Sequence, residues 1–554
     1  MRRLLLVPLL LAAFTSTASG QIPSSNPNSV ETCNVRSNGA TGNGITDDTA
    51  AIQSCLDRGG RVYVPDGIYL ISSASTMIQP DTFGTGLIIT RSNTWLELAP
   101  SAILKHNAGP PGRNNLLRIM GRKSIETTFT GASVRATSIT VANATGITAG
   151  QDVVLVSGTD ANPIDFEINH VSAAPGTSVN LAHPLENSYP NGSRFLLVAW
   201  VKNVRVTGGQ WEGNSRARTL IHGDYVQKLT IEHIHGRHTA GDGRCIASTL
   251  YSNATLFEGN YCEDIADRGI ETYVTTWNGV IRGNTVLRAG IHGFAIHGRH
   301  IRVTENLAIG GGDSMSGFAG FHLDSAHHIG LIGNQAAQNK SHGFQTAWDT
   351  AAAQFKGNIA SANVQRGFDY ATAADLYSEG NFAVANGDDG YRFGTGITRA
   401  LSNLDHSAAN AAWGANVLAG ANAATLWGFV SDSDATGAVT NAGTNSKVYV
   451  LRARLATGNA VTPFVQHVSI AYHLNFSSPA IVPGCVDKTQ AFGGAALGDN
   501  VMVSASVTPR ASFTLGGFVS SADNVTVRWC QHAGAPADPD GGSGATYHVD
   551  LWKR

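Results

Sequence analysis

Between Gly243 and Gly414 one short phrase, a glycine with a bulky apolar residue beside it, keeps returning: Gly243-Arg-Cys-Ile, Gly269-Ile270, Gly293-Phe294, Gly320-Phe321, Gly343-Phe344, Gly367-Phe368, Gly390-Tyr391 and, degenerate, Trp413-Gly414. The intervals are 26, 24, 27, 23, 24, 23 and 24 residues. A chain that repeats at such a period stacks one small unit on the next, because a single unit cannot bury its apolar face alone. Segments such as 301–306 and 330–334 are too short and too β-branched for helices, and polar turns break them. Leucine-rich repeats share the period, but no fixed leucine ladder runs through it. Each period therefore reads as one coil of an all-β parallel β-helix, with strands stacked about 4.8 Å apart. A recurrent asparagine (Asn260, Asn284, Asn306, Asn334, Asn358, Asn381, Asn403) is assigned to turns, where Asn tolerates left-handed backbone.

Strand alternation sorts each phrase into two faces. The first and third residues after the glycine point inward: Phe294 and Ile296, Phe321 and Leu323, Phe344 and Thr346, Phe368 and Tyr370, Tyr391 and Phe393. The second and fourth point outward: Glu271 and Tyr273, Ala295 and His297, His322 and Asp324, Gln345 and Ala347, Asp369 and Ala371, Arg392 and Gly394. One lateral wall thus gathers carboxylates, imidazoles, a phenol and a guanidinium, and the candidate site is placed there.

Residues 1–20 read as a secretory signal, with Arg2-Arg3, an apolar run too short to span a membrane, and small residues before Gln21. The mature protein is expected outside the cytoplasm, extracellular or periplasmic, with no membrane partner. Its six cysteines fall as Cys33/Cys55, Cys245/Cys262 and Cys485/Cys530. That spacing invites local disulfides among the fifteen connectivities open to six cysteines. A formal charge of -2 and sparse charged residues point away from nucleic acid.

The reading in chain order is a cap helix and first coils over 21–137, a small antiparallel β insertion over 138–197, the β-helix body over 198–430, a linker over 431–464 and a C-terminal β-sandwich over 465–554. In the cap, Thr46 is expected to open a helix with Asp47 and Asp48 in its first turn and Ile52, Cys55 and Leu56 as its buried stripe. For the sandwich, sugar binding, homotrimer formation and sealing of the solenoid are open, the last two being favoured.

The run Asn38-Gly-Ala-Thr-Gly-Asn-Gly-Ile-Thr-Asp-Asp-Thr-Ala-Ala-Ile52, followed by Gly60-Arg-Val-Tyr-Val-Pro-Asp-Gly-Ile-Tyr69, resembles the opening segment of the pectate-lyase-like and polygalacturonase-like superfamily. That resemblance implies a right-handed parallel β-helix and a polysaccharide partner, while the superfamily's chemistry varies from lyase to hydrolase to epimerase. Locally, His292-Gly-Phe-Ala-Ile-His297 resembles the Tyr-Gly-Phe-Asp-Pro-His motif of mannuronan C5-epimerases, and Asp324 stands where those enzymes carry a further active-site aspartate. Here His292 replaces the tyrosine and Ala295 the first aspartate, so the resemblance implies proton abstraction beside a uronate carboxylate rather than epimerisation as such.

β-Elimination needs a cation for the carboxylate, a base for the C5 proton and an acid for the leaving oxygen. His297 suits the base, Tyr273 or His292 the acid, and Arg268, Arg299 or Arg392 the clamp, with Glu271 and His322 lining the substrate. Hydrolysis by inversion is the alternative, with Asp324 and Asp369 two coils apart as the carboxyl pair. A non-catalytic glycan-binding adhesin is the reading from another class. No cofactor is demanded; a calcium ion between Glu271, Asp324 and neighbours is the one metal considered.

Overall fold

The computed structural model describes residues 32–72, 84–108, 114–159, 163–312 and 318–454, and in the C-terminal region 467–476, 484–492, 495, 500–505, 513–531 and 545–552. The signal segment expected over 1–20 lies outside them. Among the described residues, 40 short strands join one parallel sheet system whose successive coils pair in register. The phrase seen in sequence is the rung of this ladder: Phe294 pairs with Phe321, Phe321 with Phe344, Phe344 with Phe368 and Phe368 with Tyr391. Their rings stack face to face at 4.6, 4.8, 4.8 and 4.8 Å, so the aromatic spacing equals the strand spacing. The third residues, Ile296, Leu323, Thr346, Tyr370 and Phe393, are also fully buried. At Gly243 the phrase is out of step: Arg244 pairs with Arg268 and Ile246 with Ile270, so Cys245 rather than Gly243 occupies the place of Gly269.

The asparagines are not turn residues. Each of Gly259, Gly283, Glu305, Gly333, Gly357 and Gly380 takes the positive φ of the turn, and the asparagine that follows turns inward. Asn334 shows the pattern: its Nδ2 donates to Val303 O (2.9 Å) and Asn358 Oδ1 (3.0 Å), while its Oδ1 accepts from Asn306 N and Nδ2, both at 3.0 Å. This buried amide ladder runs from Asn260 to Asn381 and ends on Asp405, not on Asn403. A carboxylate fits the last rung because it only accepts: Asp405 takes Asn381 N and Nδ2 on Oδ1 and the hydroxyls of Ser378 and Ser402 on Oδ2. A second ladder, Asn339, Asn363, Asn386 and Asn410, ends on Asp434 in the same way.

The cap helix spans Thr49–Arg58 and buries Ile52, Cys55 and Leu56. Thr46 does not cap it; Asp48 holds that position, with its carboxylate taken up by the Thr41 and Gly42 N–H groups, while Asp47 Oδ1 receives Thr49 N (2.9 Å). Gln53 covers an open strand edge by exchanging both of its amide bonds with Ile88 (2.8 and 2.9 Å). The cysteines pair locally, Cys33–Cys55, Cys245–Cys262 and Cys485–Cys530.

Two boundaries move. The antiparallel insertion pairs Arg122–Phe129 with Ser193–Ala199 and thus begins before Ser138. Residues expected as linker continue the coils instead: Gly437–Asn441 and Lys447–Arg454 add parallel strands. In the C-terminal region two three-stranded antiparallel sheets share a core that includes Phe476, Phe492, Trp529 and Tyr547.

Candidate active site

Two outward lines run side by side across the coils. One is Arg118, His222, Ala247, Glu271, Ala295, His322, Gln345, Asp369 and Arg392, in unbroken register. Tyr273, His297 and Asp324 lie two residues further along their coils, Asp324 beside Ala347. Ala295, fully buried, stands between Glu271 and His322, and the candidate residues converge around it.

His297 sits at the centre. Its Nδ1 faces the main-chain oxygen of Asp324 at 2.8 Å. A carbonyl only accepts, so Nδ1 carries the proton and the lone pair is on Nε2, which has no hydrogen-bond partner among the described residues. The Tyr273 ring lies 6.1 Å away and that of His322 6.5 Å. Burial pushes the His297 imidazole below its usual range; Glu271 and Asp324 oppose that shift and Arg268 adds to it. Burial likewise raises the Tyr273 phenol, with Glu271 reinforcing the effect.

His292 and His322 stack with ring centres 4.1 Å apart. Burial holds His292 well below the normal imidazole range and drives His322 down to about 3, so both are neutral at ordinary pH. His292 Nδ1 accepts Ala319 N (3.2 Å). His322 Nδ1 meets Gln345 Oε1 at 2.9 Å, and Gln345 Nε2 donates to Asp369 Oδ2 at 3.4 Å. Asp369 is fully buried, gripped by Arg392 (Nε to Oδ1 2.5 Å, Nη2 to Oδ2 2.7 Å) and by His342 Nε2 (3.2 Å). The Asp369–Arg392 pair thereby fixes which way Gln345 faces and which nitrogen of His322 is protonated.

These contacts redistribute the residues expected from sequence. Glu271, Tyr273, His292, His297, His322 and Asp324 share one patch with Arg268, whose charge depresses all three imidazoles. Asp369 stands in a different line from Asp324 and is sealed by its cations, so the two do not form the carboxyl pair expected for inversion. Arg299 leaves the wall: it binds Asp165 Oδ1 (2.8 Å) and Asn187 Oδ1 (3.0 Å) and covers the Phe166 ring, tying the insertion to the coils. Arg392 is likewise committed to Asp369. Two residues were missed. Arg244 grips Glu271 through Nε, and Asp267 bonds Arg268 Nη1 at 2.7 Å. The signal for Arg244 was its stacking in register on Arg268, obscured by the misaligned Gly243. Burial lifts the Asp267 carboxyl, whereas Arg244 and Arg268 outweigh burial and hold Glu271 down. With its oxygens facing two guanidinium groups, Glu271 does not fit a calcium site, and no group of three or more His, Cys, Asp or Glu side chains among the described residues could hold a metal.

Residues 32–369 match the family described as rhamnogalacturonase A/epimerase, pectate lyase-like. The chain belongs to that family. The names of this pectate-lyase-like β-helix family are those of polysaccharide-active proteins, and the match spans the opening segment and every residue of the patch. No curated protein sequence matches the chain. Among solved structures, the tailspike gp49 of Pseudomonas phage LKA1 is 12% identical over 94% of this chain and 99% of its own, with a TM-score of 0.47. The A-module of the Azotobacter vinelandii mannuronan C-5 epimerase AlgE4 is 14% identical over 77% and 100%, at 0.40. The Streptococcus pneumoniae surface adhesin PfbA is 12% identical over 75% and 93%, at 0.36. At these identities and scores no role passes from them to this family member.

Proposed function

We propose that this pectate-lyase-like protein is an exported enzyme that cleaves a uronate-containing polysaccharide by β-elimination. The observation that carries the reading is the protonation pattern of His297: a neutral imidazole, pinned through Nδ1–H, with the Nε2 lone pair unengaged beside a phenol. His297 Nε2 removes the C5 proton, the electron pair forms the C4–C5 double bond, and the C4–O bond breaks. Tyr273 hands its proton to the leaving oxygen, a role that suits a phenol held in its protonated form. Glu271 and Asp324 stabilise the imidazolium so formed. Arg268 is the clamp for the uronate carboxylate: Asp267 takes its Nη1 and Glu271 lies 3.5 Å from its Nε, which leaves Nη2 to donate, whereas Arg299 and Arg392 are held away from the patch.

Hydrolysis is the second reading, favoured by one observation: Asp267, in the bend just before the strand Arg268–Thr272, and Glu271 on that strand have proton affinities pushed in opposite directions, as an acid and a base require. Incubation with polygalacturonate and alginate separates the two. Elimination yields an ultraviolet-absorbing conjugated product with each new reducing end. Reducing ends without absorbance overturn the lyase reading, and saturable binding with neither signal supports an adhesin. The three disulfides fit an oxidising, extracytoplasmic setting, which fractionation of the producing cells tests.

A further inference from the structure

One coil beyond Asp324 the solenoid offers a tryptophan to solvent. Ala347 pairs with Asp324, and Trp348 follows it, 75% exposed. Among the described residues of the preceding coils, 201–347, no large apolar side chain is exposed. Trp348 is therefore the first large apolar side chain that these coils expose; Ile359, Val364, Phe382, Leu401, Leu404 and Trp427 follow on later coils, and Trp348 is the most exposed of them and the nearest in chain order to the polar wall.

Its presentation is imposed by the backbone. Trp348 has φ +41, a left-handed conformation that a bulky residue rarely adopts. The conformation is held through its carbonyl, which accepts Thr350 N (2.9 Å) and Thr372 Oγ1 (2.8 Å) from the next coil. Ser325, the equivalent residue one coil earlier, takes the same conformation at φ +48, so the left-handed corner belongs to the solenoid and this coil fills it with an indole that projects into solvent. The next residue, Asp349, is also exposed and reaches His327 Nε2 at 3.3 Å. An open indole face with polar groups at its rim matches a pyranose ring, whose C–H face covers the indole while its hydroxyls reach the rim.

Position sets which ring. Successive coils advance about 4.8 Å, so Trp348 lies roughly 10 Å along the axis from His297, about two sugar units away. We propose that Trp348 is the platform of a distal subsite that stacks on a sugar of a polysaccharide chain lying along the solenoid axis. This rests on the reading of the His297 wall as a polysaccharide site, and it adds a length requirement: only oligosaccharides that reach two coils beyond His297 gain the contact.

The test uses the intact chain carrying His297→Gln, so that binding is measured without turnover, with uronate disaccharides and hexasaccharides prepared from polygalacturonate and alginate. Calorimetry should show that Trp348→Ala weakens hexasaccharide binding about tenfold. Disaccharide binding should not change, Trp348→Phe should retain most of the hexasaccharide affinity, and the melting temperature should not fall. Unchanged hexasaccharide affinity in Trp348→Ala overturns the proposal, as does an equal loss with the disaccharide, or binding of none of these sugars. The otherwise wild-type protein assayed on the same hexasaccharides keeps the two readings apart: Trp348-dependent binding without cleavage removes the lyase and leaves the subsite standing.

Discussion

Replacing Asn334 by Ala is the sharpest probe of how this solenoid is held together. Asn334 is fully buried and its side chain makes four hydrogen bonds to neighbouring coils. Truncation leaves Asn306 N–H and one Asn306 Nδ2–H without partners, whereas the Val303 carbonyl stays in the strand ladder with Gly330–Ile332 and Asn358 Oδ1 keeps the Asn334 main-chain N–H at 2.9 Å. Each orphaned buried group costs about 1–3 kcal/mol, so the two together should cost about 2–6 kcal/mol, toward the lower end where coils shift to share the burden. Denaturant unfolding of the intact chain, followed by circular dichroism, measures it. Asn403→Ala is the internal control. By sequence it is the same landmark, but it lies outside the ladder and should cost less than about 0.5 kcal/mol. Equal effects at the two positions, or a loss under about 1 kcal/mol at Asn334, would refute the ladder as the source of cohesion.

Three further outcomes follow from named contacts. Arg299→Ala should lower the melting temperature and speed proteolysis of the insertion while leaving kcat unchanged, because Asp165 and Asn187 lose their shared donor; loss of turnover at unchanged stability would instead restore Arg299 to the substrate clamp. Burial holds His292 well down, His322 at about 3 and His342 at about 4, against about 6.5 for an unfolded imidazole. The unfolded chain therefore binds protons first: this contribution to stability is complete above about pH 6.5 and is lost as pH falls toward 4, and His322→Gln should flatten the melting profile across that range. Asp405 has the opposite sign. Burial pushes its carboxyl up to about 6, so it favours folding as pH drops from 6 toward 4 and costs stability at neutral pH. Asp405→Asn keeps an acceptor for Asn381 but turns an NH2 toward the Ser378 and Ser402 hydroxyls, so its firm outcome is the loss of that acid-side gain; a variant whose melting temperature still rises from pH 6 to 4 as the wild type's does contradicts this.

The aromatic ladder was legible because a period and an alternation fix which side chains face inward, and local spacing was enough to pair the cysteines. The asparagines were misread because spacing gives recurrence but not direction. Asn suits a turn and a buried amide stack equally, and the deciding clue was the glycine that precedes most of them and supplies the left-handed φ. Arg299 was assigned to the wall because its partners lie 112 and 134 residues away in sequence, in a sheet whose docking no local pattern reveals. The stretch 431–464 looked like a linker because Ala, Gly, Asn and Thr dominate its first part, yet within the described residues Ala438, Val439, Val448 and Val450 join the core of the coils. Alternation put Glu271, Tyr273, His297, His322 and Asp324 on one wall, and the epimerase-like motif singled out His292, His297 and Asp324. Which of its charges are free, and which are spent on each other, required the third dimension.

The most direct test is to compare the wild type with His297→Gln on whichever of polygalacturonate and alginate the wild type degrades, following the ultraviolet absorbance of the unsaturated product and the melting temperature together. Loss of the C5 base should reduce kcat by about 10²–10⁴-fold with the melting temperature preserved. Wild-type rates of unsaturated product formation in the variant would contradict the assignment of His297 as the group that takes the proton.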